Sequence, residues 1–140
     1  MSWFALALVG AGAAAATSIL GKIGVAAIPS NLAVLIRTVV VLLFVGVLVV
    51  ARGEQSAMAN VRGRDWVFLS LSGLATGVSW LAFFKALQMA PASWVVPIDK
   101  LSLALTVVLA AAFLGETITL HVAIGVGLMV AGALFIAWRQ

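Results

Sequence analysis

The chain has 140 residues, of which 65% are hydrophobic and 9% charged, with a formal net charge of +4. Soluble domains carry about 25% charged residues, and apolarity on this scale marks membrane-spanning chains, so a water-soluble globular domain is excluded. With no cysteine there is no disulfide, thiolate zinc site or cysteine nucleophile, and the scattered basic residues form none of the stripes with interleaved aromatics that bind nucleic acid.

A bilayer core about 30 Å thick takes about 20 residues of apolar helix. Five segments reach that length, at about 3–21, 31–50, 66–89, 94–114 and 120–138. The expected fold class is all-α, an integral membrane bundle of five transmembrane helices forming a single domain over residues 1–140. The first segment has no positive region before it and runs longer than the apolar core of a secretory signal. It is expected to stay as the first span despite the small residues at Ala13–Ala16.

Lys22 closes that span, and Gly24, Pro29 and Ser30-Asn31 stop one helix and start the next. The second span leads into a polar loop, 51–65, with Arg52, Glu54, Arg62, Arg64 and Asp65. Asp65 is a candidate N-cap for the third span. Pro91 and Ser93 lead into the fourth, which stops at Gly115. Thr117 or Thr119 is placed to cap the fifth.

An odd number of spans puts the two termini on opposite faces. Trp3 and Trp66 then fall on the face of the polar loop and Trp94 and Trp138 on the other, as interfacial belts require; Trp80 alone lies inside a span. Counted strictly, the loop face has Arg52, Arg62 and Arg64 against Arg139, which favours that face in the cytoplasm. If Lys22 and Lys85 reach the opposite interface the two faces tie, a balance that permits insertion both ways.

Small residues recur where helices touch: Gly10, Gly12 and Ala13–Ala16 in span 1, Gly73 and Gly77 in span 3, and Ala123, Gly127 and Ala131 in span 5. Lipid tails give helices no hydrophobic reason to associate, so close approach through small residues does that work. Packing within one chain is expected to explain most of these faces, with a dimer seam as the alternative use for one of them.

Ionisable groups inside spans are costly and call for partners. Arg37 lies roughly 9 Å into span 2, at 1.5 Å per residue from Asn31. Lys85 stands about a turn before the end of span 3. The depth of Asp99 depends on where span 4 begins. A start after Ser93 places Asp99 about 8 Å deep, level with Arg37, whereas a start at Pro97 makes it an ordinary first-turn acid. The first start gives a helix of about 31 Å and the second about 27 Å, so length favours the deeper Asp99 with Arg37 as its counter-charge. Lys100, being adjacent, is expected to diverge from Asp99 around the helix. Asp99, Ser102 and Thr106 share a stripe, and Ser72, Thr76 and Ser79 form another beside Trp80. Bland accounts exist for each residue alone. Hydroxyls bond their own helix, and long basic side chains reach back to the interface. As a set, Arg37, Thr76, Trp80, Lys85, Asp99, Lys100 and Ser102 are the candidate substrate-path or gating residues. His121 and Glu116 stand at the turn before span 5, with Glu116 favoured there by the helix dipole. No acid pair, HExxH, GxSxG or P-loop is present, so an enzyme is not expected, and no cofactor or metal is implied.

The residues Trp3, Lys22-Ile-Gly, Pro29-Ser-Asn-Leu-Ala, Ile36-Arg37-Thr, Phe84-Lys85-Ala-Leu-Gln, Ala92-Ser93, Val96-Pro-Ile-Asp-Lys-Leu-Ser102 and Leu114-Gly-Glu-Thr117 stand in an order that resembles an EamA-type unit of the drug/metabolite transporter superfamily. The chain is most similar to the five-span bacterial and archaeal transporter group. The resemblance implies a multi-pass protein of the cell (inner) membrane that carries a small-molecule metabolite. Larger relatives join two such units in inverted orientation, and inverted repeats place substrate between the halves. A single unit would then work as an antiparallel homodimer or with a second five-span subunit. The reading is a secondary-active transporter, or half of one, using alternating access. Its rival is a non-transporting membrane partner that packs through its small-residue faces.

Overall fold

In a computed structural model, residues 2–138 are described; Arg139, used in the charge balance, lies outside them. The elements are α1 (Trp3–Gly24), α2 (Ser30–Ala51), a 3₁₀ segment (Glu54–Asn60), α3 (Gly63–Met89), α4 (Ala92–Asp99), α5 (Ser102–Leu109), a π-helical turn (Ala110–Leu114) and α6 (Leu120–Trp138). No strand occurs among the described residues, and the fold class is all-α. Five helical stretches are long and apolar enough to cross a membrane, the fourth being Ala92–Leu114 taken as a whole.

The helix ends follow local chemistry rather than apolar length. Helix α1 runs on to Gly24, so Lys22 lies in its last turn instead of beyond it. Helix α3 begins at Gly63, and the expectation that Asp65 caps it is corrected. The carbonyl of Arg62 accepts from the N–H groups of Asp65 (2.9 Å) and Trp66 (3.2 Å), while Asp65 sits in the first turn. There the helix dipole favours its charge, and its carboxylate holds the Arg62 Nε at 3.1 Å. For α6 the cap is Thr119, whose Oγ1 accepts from the N–H of Val122 at 3.4 Å; Glu116 stands further upstream.

The fourth span is not one continuous helix. It starts at Ala92, directly after Pro91, so neither Ser93 nor Pro97 is its start. Pro97 is inside α4, where it has no N–H to give the carbonyl of Ser93. Past Pro97 the winding tightens: Leu101 donates to Ile98 (3.0 Å), Leu103 to Lys100 (3.0 Å) and Ala104 to Leu101 (3.1 Å), all i→i+3 bonds. At the far end the helix widens into the π turn and stops at Gly115. Its left-handed backbone (φ 69°) lets the N–H groups of Gly115 and Glu116 both reach the Ala110 carbonyl.

The chain forms two compact units. One is Leu20–Gln88; the other comprises the chain up to Ile19 and the chain from Met89 onward. In the second, α6 packs on α4 and α5, with Val95 and Ala133 buried. In the first, Val25, Ser30, Ala33, Val34, Phe84 and Leu87 are buried, drawn from the α1–α2 link and the facing ends of α2 and α3.

Candidate functional site

Helix α3 presents Thr76, Trp80 and Phe84 at four-residue spacing, one above the next on a single face. That face meets Arg37 of α2. The guanidinium carbon lies 3.4 Å from the centroid of the Trp80 ring and 5.5 Å from that of Phe84. Arg37 is seven residues past Ser30, about 10 Å along α2, and is half-buried. An aromatic face offers a cation about 0.5–2 kcal/mol, more where water is thin. Trp80 is thus explained as the support under Arg37.

Phe84 and Gln88 were not among the sequence candidates, yet both help to build this end of the unit. The Phe84 ring closes against Gly21 of α1, where an added Cβ would come within 3.3 Å of its Cζ. The Gln88 amide donates to the carbonyls of Val25 (3.0 Å) and Ile28 (2.8 Å), fastening the α1–α2 link to the end of α3. Lys22 Nζ donates to the Leu87 carbonyl, one of those the helix end leaves without an internal donor. The recurring spacing of Trp80, Phe84 and Gln88 was the signal available in the sequence.

The remaining candidates divide by location. Lys85 is exposed and, being next to Phe84, projects off the face that meets Arg37. The Thr76 hydroxyl donates to the Ser72 carbonyl at 2.9 Å, leaving its lone pairs as acceptors. Thr106 does the same to Ser102 at 2.8 Å, and Thr38 to Val34 at 2.8 Å. These are the self-contained bonds that let hydroxyls sit in apolar helices.

Asp99 and Lys100 meet, with Nζ 3.2 Å from Oδ2, contrary to the expectation that they diverge. The expectation assumed an unbroken helix, whereas α4 ends at Asp99 and Lys100 belongs to the tightened turn. Asp99 therefore has a counter-charge inside its own unit. Because i and i+3 nearly eclipse in 3₁₀ winding, Ser102 remains on the Asp99 side of the chain. Elsewhere, a mostly apolar cavity of about 560 Å³ is lined by Val49, Glu54, Met58, Trp66 and Leu69 among others. None of the candidate residues lines it.

Five membrane-length helices, with a cation held on an aromatic face inside one of them, define a multi-pass membrane protein. Residues 1–138 match the EamA-like transporter family, and the chain belongs to that family. A protein of Sinorhizobium sp. described as "Uncharacterized transporter in cobO 3'region" is 46% identical over 136 residues, covering 97% of this chain and 96% of that protein. No solved structure matches significantly. The resemblance read from the ordered residues of the sequence is therefore correct.

Proposed function

We propose that this membrane transporter is secondary-active and moves a small metabolite across the cell (inner) membrane by alternating access, as a dimer of five-span units. The family supports transport in general, and the relative of nearly equal length bears the name of a transporter. One observation carries the site: Arg37, about 10 Å into α2, is seated on Trp80 at 3.4 Å. A half-buried cation given its own aromatic support, in a segment where charge is costly, marks a polar path better than any scattered hydroxyl. Thr76 and Lys85 in one unit, and Asp99, Lys100 and Ser102 in the other, are the further polar groups proposed to meet or gate the solute. An antiparallel homodimer supplies the two inverted halves that alternating access uses; a second five-span chain is the other source of the missing half.

Purified protein in proteoliposomes, loaded with a mixture of small metabolites and assayed for counterflow, tests the reading. Exchange of at least one solute class above that of empty liposomes is the expected result. No exchange across a broad panel, together with stable capture of one membrane partner, would establish the scaffold reading instead.

A further inference from the structure

Trp80 does more than hold Arg37; it decides which part of the guanidinium is left to bind. At 3.4 Å from the ring centroid, the guanidinium carbon is in van der Waals contact with the indole face. An edge-on group would drive N–H hydrogens into the ring at that distance, so the two planes stack. Stacking uses the face of the guanidinium and leaves its N–H donors pointing outward in the plane. Among the described residues of the Leu20–Gln88 unit, none accepts a hydrogen bond from them. The two carboxylates of that unit, Glu54 and Asp65, lie in the polar loop beside Arg52 and Arg62. The opposite end of the unit has Lys22, Arg37 and Lys85 and no acid.

A cation inside a span, with one face covered and no acceptor for its fork of donors among the described residues of its unit, matches a flat oxyanion that accepts two parallel hydrogen bonds. A neutral or cationic solute would leave that fork desolvated and unpaired, which is costly in a segment facing lipid. We propose that the outward edge of Arg37 is an oxyanion site that takes the carboxylate or phosphate of an organic anion, which makes the transported solute an anion. The solute assignment rests on the transport reading above; the binding site does not.

Full-length protein in phosphatidylcholine nanodiscs is titrated with succinate, glutamate and glycerol 3-phosphate, and with succinamide as the uncharged counterpart, following tryptophan fluorescence and thermal unfolding. A saturable response to at least one anion and none to succinamide is expected. Arg37→Gln should weaken it about tenfold or more, the scale of removing one partner of a charge-assisted pair. Should that variant not fold, Arg37→Lys, which keeps the charge and loses the fork, should weaken it severalfold. No response to any of the anions, or an equal response in the variants, overturns the site. A second arm uses phosphatidylglycerol discs and native mass spectrometry. If a lipid phosphate occupies the edge, wild type retains phosphatidylglycerol, Arg37→Gln releases it, and soluble anions no longer register; that keeps the oxyanion site and removes the solute assignment. Binding without proteoliposome flux leaves the site standing and rejects transport. Anion flux undiminished by Arg37→Gln does the reverse.

Discussion

Arg37 is supported by a ring face, and this sets what its neighbours tolerate. Replacing Trp80 by leucine keeps the volume roughly apolar but removes the quadrupole under the cation. The expected loss is about 0.5–2 kcal/mol in unfolding by denaturing detergent, with Trp80→Phe losing less. Gln88 makes a second prediction, because one amide holds two carbonyls of the α1–α2 link. Gln88→Leu strands both acceptors and should cost about 1–3 kcal/mol, at roughly 0.5–1.5 per bond. Amide exchange measured by mass spectrometry should speed up in residues 25–30 before anywhere else in the unit. The Asp99–Lys100 pair is different in kind. Its side chains remain 33% and 48% exposed, so it fixes local geometry more than it adds stability.

At the scale of elements, the sequence was most legible where one physical term dominated. Apolar length alone located all five spans, since the bilayer thickness leaves little freedom. Ends moved by up to about three residues because caps decide them, as when Arg62 and Asp65 together drew the start of α3 back to Gly63. The fourth span was harder. Pro97 announced a disturbance, but the choice posed was between two starts of one helix. The actual outcome was an earlier start followed by a tightened turn at 100–101, which also brought Asp99 to Lys100. The partner of Arg37 was obscure for a related reason: charges advertise pairing with charges, whereas a ring offers its face only through spacing on another helix. Gly115 gives the element-scale prediction. An added Cβ there meets no described atom within 4 Å, so the cost comes from the left-handed backbone. Gly115→Ala should destabilise by about 1–2 kcal/mol and Gly115→Asn by less, read from detergent unfolding midpoints.

For the whole molecule, the question is what the small-residue faces are for. Small residues recur on α6 at Ala123, Gly127 and Ala131, yet a Cβ built at Gly127 or at Gly125 finds no described atom within 4 Å. A face suited to close backbone approach, whose glycines have no described atom within 4 Å of an added Cβ, has the form a second copy would use. Gly127→Ile separates this from simple exposure to lipid. In the isolated chain an added Cβ at Gly127 meets no described atom within 4 Å, and isoleucine is as much at home in lipid as its neighbours, so helicity and the unfolding midpoint of the monomer should stay within about 0.5 kcal/mol of wild type. If α6 is the dimer seam, the same variant should lower the dimer fraction measured by energy transfer between labelled copies in liposomes, and solute exchange should fall in proportion. Antiparallel pairing adds a sharper demand. C-terminal tags on wild-type protein should then be accessible from both faces of the membrane in comparable amounts, and finding every tag on one face would leave only a parallel pair or a second five-span partner. If Lys22 and Lys85 reach the interface opposite the loop, the basic residues divide evenly and both insertions become accessible, so adding two arginines to the 51–65 loop should collapse the tags onto one face and abolish exchange while leaving each copy folded.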